Sequence, residues 1–291
     1  MYAVKASPAD LIQNDGKFIA REVGISQFSV LNCFCAKHDK ELFAAIEDEP
    51  LVFSPKQLSL LHYRTVASEL YRKVMGHRAT LHHLSAKSEK RPVTAEVKAA
   101  IQLLRDYSLG EQMGIRDIGA AFALAEKELL SENQNGISAL IVHFKQLPSI
   151  MTVGGFLPEC DYNGKPLQRL GDFQALNQGI SFNILSAEGH AALAMLWLKG
   201  HDVAKTFAES FIAQEPERFT TLAIQTAFEH LENTCMAPNW WTGLLTVKQD
   251  LLLRRMQTAG SFMEERKPNC LTYCGVTFDQ WEYDRQEFIN V

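Results

Sequence analysis

From Ser54 onward the apolar positions recur first at helical and then at strand spacing. Ser54-Pro55 carries a helix-start signal, Ser at the N-cap and Pro at the first helical position. Leu58, Leu61, Val66 and Leu70 follow a roughly helical spacing to about Met75, and Gly76 offers a stop. The basic, histidine-rich stretch from His77 to Arg91 reads as a loop or a second short helix. Thr94 begins a capping box with Glu96 one place short, which predicts a helix from about Ala95 to Asp106. A further helix is expected from about Ile115 to Ser131, rich in Ala, Leu, Glu and Lys.

Asn135-Gly136 marks a turn, and the texture then changes. Ile137 to Phe144 and Ile150 to Leu157 read as strands, with a hairpin-type turn at Asp161-Tyr162-Asn163-Gly164. Ile180 to Ile184 alternates as a half-buried strand does. Ala191 to Leu198 is continuously apolar, and periodicity does not separate a strand from a buried helix there. Helical pattern returns from about Asp202 to Gln214, Pro216 to Glu232 and Trp240 to Thr258. The segregation predicts an α+β protein, mostly helical, with a small central antiparallel sheet of three or four strands. Four regions follow: a cysteine-bearing head (1–54), a helical region (55–133), a sheet region (134–200) and a C-terminal helical region (201–291).

Hydrophobic content of 46% and charged content of 22% are those of a globular protein. A net charge of -5 argues against a whole-surface electrostatic grip on nucleic acid or an anionic membrane, and leaves room for a local basic patch. The first residues hold no apolar run of signal-peptide length, and the longest strongly apolar run, Ala191 to Leu198, is too short to span a bilayer. A cytoplasmic location without membrane attachment is expected. Its six cysteines then read as reduced thiols or metal ligands.

The densest candidate chemistry is Cys33-Phe34-Cys35-Ala36-Lys37-His38-Asp39. Cys35-x-x-His38 has the spacing of one half of a zinc site, and a tetrahedral site needs four thiolate or imidazole ligands. Cys33 and the distant pair Cys270 and Cys274 are the other candidate ligands. The alternative is that these cysteines are core residues, since free Cys is among the most buried types. His38-Asp39 lacks the upstream His of an HD-type metal site.

The run from Cys33 to Phe43, followed by Ile46-Glu47, resembles a phrase in a loosely defined group of uncharacterised bacterial proteins. Tyr63-Arg64-Thr65 to Glu69-Leu70, and Glu232-Asn233 to Pro238-Asn239-Trp240-Trp241, are similar to later signatures of that group. In the group the first phrase follows an upstream Cys pair and a Ser-His element, which together suggest an HNH-like, treble-clef zinc knuckle. The resemblance implies a structural zinc and binding of nucleic acid or a protein partner. His38 is the first histidine of this chain, so the general base of HNH catalysis has no counterpart and that chemistry is not expected.

Two further features bear on function. Arg72-x-x-x-x-His77 fits the spacing of HEPN-type ribonucleases, where Arg stabilises phosphate charge and His moves protons. Around it Lys73, Arg78, Lys87, Lys90 and Arg91 form a basic segment able to hold a phosphate backbone. Trp240-Trp241 after Pro238 suits a helix that docks on the core. There is no G-x-G-x-x-G, P-loop, G-x-S-x-G or H-E-x-x-H motif. The sequence therefore supports a cytoplasmic bacterial protein related to HNH-like zinc modules that binds nucleic acid or a protein. The alternatives are a metal-independent HEPN-type ribonuclease using Arg72 and His77, and a structural or interaction protein, for example in phage defence.

Overall fold

The structure, a computed structural model, describes residues 1–4, 8–28, 33–88, 94–171, 174–259 and 266–291. Its centre is one eight-stranded antiparallel sheet. The strands are β1 (Tyr2–Val4), β2 (Ala20–Glu22), β3 (Ile137–Phe144), β4 (Ile150–Phe156), β5 (Ile180–Ala187), β6 (His190–Leu198), β7 (Thr234–Met236) and β8 (Tyr283–Ile289). Their order across the sheet is β2-β1-β7-β4-β5-β6-β3-β8.

This corrects the expected small sheet of three or four strands, although the α+β class stands. The added strands gave little pattern to read. β1, β2 and β7 are three residues each, too short for a period-2 signal, and β8 (YDRQEFI) has four consecutive polar or charged residues at its centre, as suits an exposed edge. β1 and β2 belong to the head, while β7 and β8 come from the C-terminal region, so one sheet draws on three of the four regions.

Helices cover both faces. On one lie α3 (Pro55–Ser88) and α4 (Ala95–Leu129), an antiparallel hairpin, with α2 (Ala36–Glu47) packed on α3. There Leu58 and Leu61 meet Ile137, Ala139, Ile141, Ala192, Ala194 and Leu196. On the other lie α5 (Asp202–Ile212), α6 (Phe219–His230) and α8 (Thr246–Ala259), whose Phe207, Phe211, Phe228 and Leu252 join Leu140, Phe182, Ile184, Met195 and Trp197. α1 (Pro8–Gln13) and α7 (Pro238–Gly243) are short. This sandwich settles Ala191 to Leu198: β6 lies between β5 and β3 and sends alternate side chains into both clusters, so it is apolar throughout.

Local signals account for the helix ends. Ser54 Oγ accepts from the Gln57 N–H at 3.4 Å and Gln57 Oε1 accepts from the Ser54 N–H at 3.3 Å, a reciprocal cap that starts α3. Gly76 does not stop that helix. A Cβ there would meet Glu111 Oε1 at 3.3 Å, so this glycine marks the close crossing with α4 and the helix runs on to Ser88. The two helices expected at 95–106 and 115–131 are one, α4, because Gly114 sits inside it against Lys73 of α3. The helix expected at 240–258 is instead two, α7 and α8. Trp241 is buried against Phe228, and Trp240 donates from Nε1 to the Phe278 carbonyl, so both tryptophans dock on the core.

Candidate functional site

The hairpin of α3 and α4 is longer than the sheet it covers. Among the described residues none from 70 to 113 joins a hydrophobic cluster, and the buried positions there are polar: Thr80, Ser108 and Glu111. At 1.5 Å per residue, the stretch of α3 from residue 70 to Ser88 is about 28 Å long. Residues 70–113 contain eight Lys or Arg against four Asp or Glu, a net of +4 in a chain of net charge -5, so the remainder carries -9. Charge is thus segregated onto the projecting arm. Lys73, Arg78, His82, His83, Lys98 and Arg105 are exposed along it. Lys90 and Arg91 lie outside the described residues, as does the side chain of Lys87.

Arg72 and His77 both belong to α3 but are held by different partners. Arg72 donates from NH1 to Glu69 Oε1 at 3.1 Å. The His77 Nδ1 lies 3.3 Å from Glu111 Oε2 and 3.5 Å from Ser108 Oγ, both on α4.

Beside the apolar contacts of Leu58 and Leu61, α3 turns a polar stripe toward the sheet. Ser59, His62, Thr65 and Glu69 follow one another at helical spacing over β4 and β5. His62 Nδ1 and Ser181 Oγ are hydrogen-bonded at 2.8 Å, and both residues are buried. Gly155 lets the helix approach, since a Cβ there would meet Thr65 Cγ2 at 3.3 Å. The Gly155 N–H donates to Glu69. Burial pushes the Glu69 carboxyl up, opposed by Arg72 and Gly155 and reinforced by Glu232. Burial lowers His62 from 6.5 to about 3, helped by His201, so the imidazole is neutral.

Beyond the stripe a cleft of about 510 Å³ opens between the hairpin and the connection from α6 to β7. Its floor is the part of β4 that β7 does not reach, because β7 pairs only with Ile150, Met151 and Thr152. Asn233 partly closes that edge by donating Nδ2 to the Val153 carbonyl. Arg72, Lys73 and Asp117 stand on the hairpin wall, and His230, Glu232 and Arg266 face them. Asp117 is neutralised by Arg116 at 2.6 Å and accepts from Asn177 at 2.8 Å. A smaller recess of about 60 Å³, lined by His62, Ser181 and His201, shares Glu69, Asp117, Gly155 and Asn177 with the cleft. Sequence reading missed this cleft. Its residues are scattered from 62 to 266, and the one local signal was the unusual polar face of α3.

The cysteine head packs by apolar contacts. Phe43 is fully buried with Leu60, Tyr63 and Ala125, and Arg64 stacks over its ring while bonding Glu47 at 2.7 Å. Cys35 Sγ and His38 Nδ1 lie 3.3 Å apart and exposed at the start of α2, close to the spacing of two corners of a zinc tetrahedron. Among the described residues no group of three or more His, Cys, Asp or Glu is placed to hold a metal ion. Cys270 and Cys274, the more distant candidate ligands, both pack against the cluster on the opposite face of the sheet. Cys33 Sγ instead lies 3.9 Å from Ser68 Oγ of α3. No helix among the described residues is long and apolar enough to cross a membrane.

No protein-family model, curated protein or solved structure matches this chain.

Proposed function

We propose that the protein binds nucleic acid through the outer half of the α3–α4 hairpin. The observation that carries this is the segregation of charge: +4 on an arm without apolar core, -9 on the rest. An arm with this charge contacts phosphates, while the acidic body is repelled and keeps the contact local. Arg78, Lys98 and Arg105 supply the described contacts, and Lys87, Lys90 and Arg91 continue the basic run in sequence. Binding of this kind reads backbone and shape, not base sequence. The test is fluorescence anisotropy with labelled 20-mers of single- and double-stranded DNA and RNA across a salt series. Three to five phosphate contacts predict a log K against log salt slope of about -2 to -3.5 on single strands. A salt-independent signal, or none at low salt, refutes the reading.

A second reading makes the arm a metal-independent ribonuclease with Arg72 and His77. It is favoured by one observation, the carboxylate of Glu111 that orients the His77 ring as catalytic imidazoles are often oriented. RNA cleavage that persists in chelator and is lost in His77→Ala supports it; cleavage unchanged by that substitution sinks it. A structural zinc on Cys35 and His38 would need further donors that no other Cys or His of the chain supplies as placed. Elemental analysis of the chelator-washed protein and of Cys35→Ser tests for it. Bacterial origin and a cytoplasmic location belong to the same proposal.

A further inference from the structure

We propose that the cleft beside α3 is a nucleotide site, with the base edge in the inner recess, the ribose against Glu232, and the phosphate at Arg72 and Lys73. The site uses Arg72 and Lys73 at the base of the hairpin and not Arg78, Lys98 or Arg105, so it does not depend on the nucleic-acid reading above.

The recess carries the argument. His62 is 3% exposed, uses Nδ1 on Ser181, and has no partner for Nε2. His201, which lines the same recess, has no partner for its buried Nδ1. A buried polar group left unpaired is costly, so two of them in one recess call for an occupant. Burial keeps both imidazoles neutral. Each therefore presents one unpartnered ring nitrogen, donor or acceptor according to its tautomer, and no net charge. Their complement is an uncharged edge that mixes donors and acceptors. A carboxylate would be buried beside Glu69 and Asp117 without a counter-charge. Val66, Ile118 and Ile180 give the recess apolar walls, as a flat ring requires.

Size sets how much enters. About 60 Å³ is room for roughly four waters, or for one edge of a six-membered ring, with the rest of the ligand in the 510 Å³ cleft. The cleft supplies the complement of that remainder. Lys73 has no hydrogen bond or ion pair among the described residues, and Arg72 engages only Glu69 through NH1, leaving other donors for a phosphate. Glu232 on the opposite wall has no ion pair among the described residues and can accept from ribose hydroxyls.

Isothermal titration calorimetry tests this, with AMP, GMP, CMP and UMP as probes beside their nucleosides, inorganic phosphate and a single-stranded hexanucleotide. At least one monophosphate is expected to bind with a Kd below about 0.5 mM, with its nucleoside and phosphate alone roughly tenfold weaker. Lys73→Ala, at an exposed position, should weaken binding roughly tenfold, and Ser181→Ala should weaken it several-fold and change the preferred base. If only the hexanucleotide binds, and Ser181→Ala weakens it, the same site takes a strand end instead of a free nucleotide. No binding of any probe at about 5 mM overturns the proposal, and so does binding indifferent to both substitutions. The triple substitution of Arg78, Lys98 and Arg105 by Glu leaves mononucleotide affinity unchanged here. This separates failure of the site from failure of the arm.

Discussion

Lowering the pH should destabilise this protein through His62 in particular, and the size of the effect follows from burial. The imidazole lies between α3 and β5, bonded to Ser181, and burial takes it from 6.5 to about 3. The unfolded chain therefore binds a proton below pH 6.5 that the folded chain refuses. A folded-state value below the unfolded one gives stability that is whole above 6.5 and is lost as pH falls toward 3. Each pH unit inside that window costs about 1.4 kcal/mol, so at about pH 4.5 His62 alone removes roughly 3 kcal/mol. That is a large part of a typical folding free energy of about 5–15 kcal/mol. His201 and His230 are also lowered by burial, whereas Glu69 and Glu229 are raised by it, so the total pH profile mixes signs. The clean quantity is a difference. Urea denaturation of the wild type and of His62→Phe at pH 7 and about 4.5 gives four free energies. The loss on acidification should be smaller in the variant by roughly 3 kcal/mol, whatever the variant costs at pH 7. Equal losses in the two proteins would show that His62 is not the buried, neutral group described.

Two further perturbations probe the opposite face of the sheet. Arg255 donates NH1 to the buried Glu229 at 3.2 Å, and burial already pushes that carboxyl up; Arg255→Met should cost on the order of 3 kcal/mol by urea denaturation, and a cost below about 1 would contradict the pairing. Trp197 fills the cluster beneath α6 at 1% exposure; Trp197→Ala should cost about 3–5 kcal/mol or prevent folding, while Trp197→Phe should keep a cooperative unfolding transition.

Legibility in the sequence followed the length of the element and the locality of its contacts. β3, β4 and β5 are seven or eight residues long and were readable as strands, β5 from the alternation of Ile180 to Ile184. β6 was ambiguous because two-sided burial erases alternation, and only the helices on both faces decide its state. β1, β2 and β7 could not be read, since three residues carry no period and their order in the sheet is set by pairing across more than 200 positions. Gly76 misled for a physical reason: a glycine at a helix crossing and a glycine at a helix stop look alike until the partner helix is known. Among site residues, the basic run on α3 was visible because its charges are neighbours in sequence. Ser181, Asn177 and Arg266 carried no signal, because they meet the α3 stripe only in the folded protein.

The most direct test of the central claim is nucleic-acid affinity of the wild type against the triple variant Arg78→Glu, Lys98→Glu, Arg105→Glu, measured by anisotropy at low salt with circular dichroism to show that both are folded. All three residues are exposed, so the fold should survive. The account predicts at least a roughly hundredfold loss of affinity and a shallower salt slope in the variant. A folded variant that binds as tightly as the wild type, with the same slope, would contradict it.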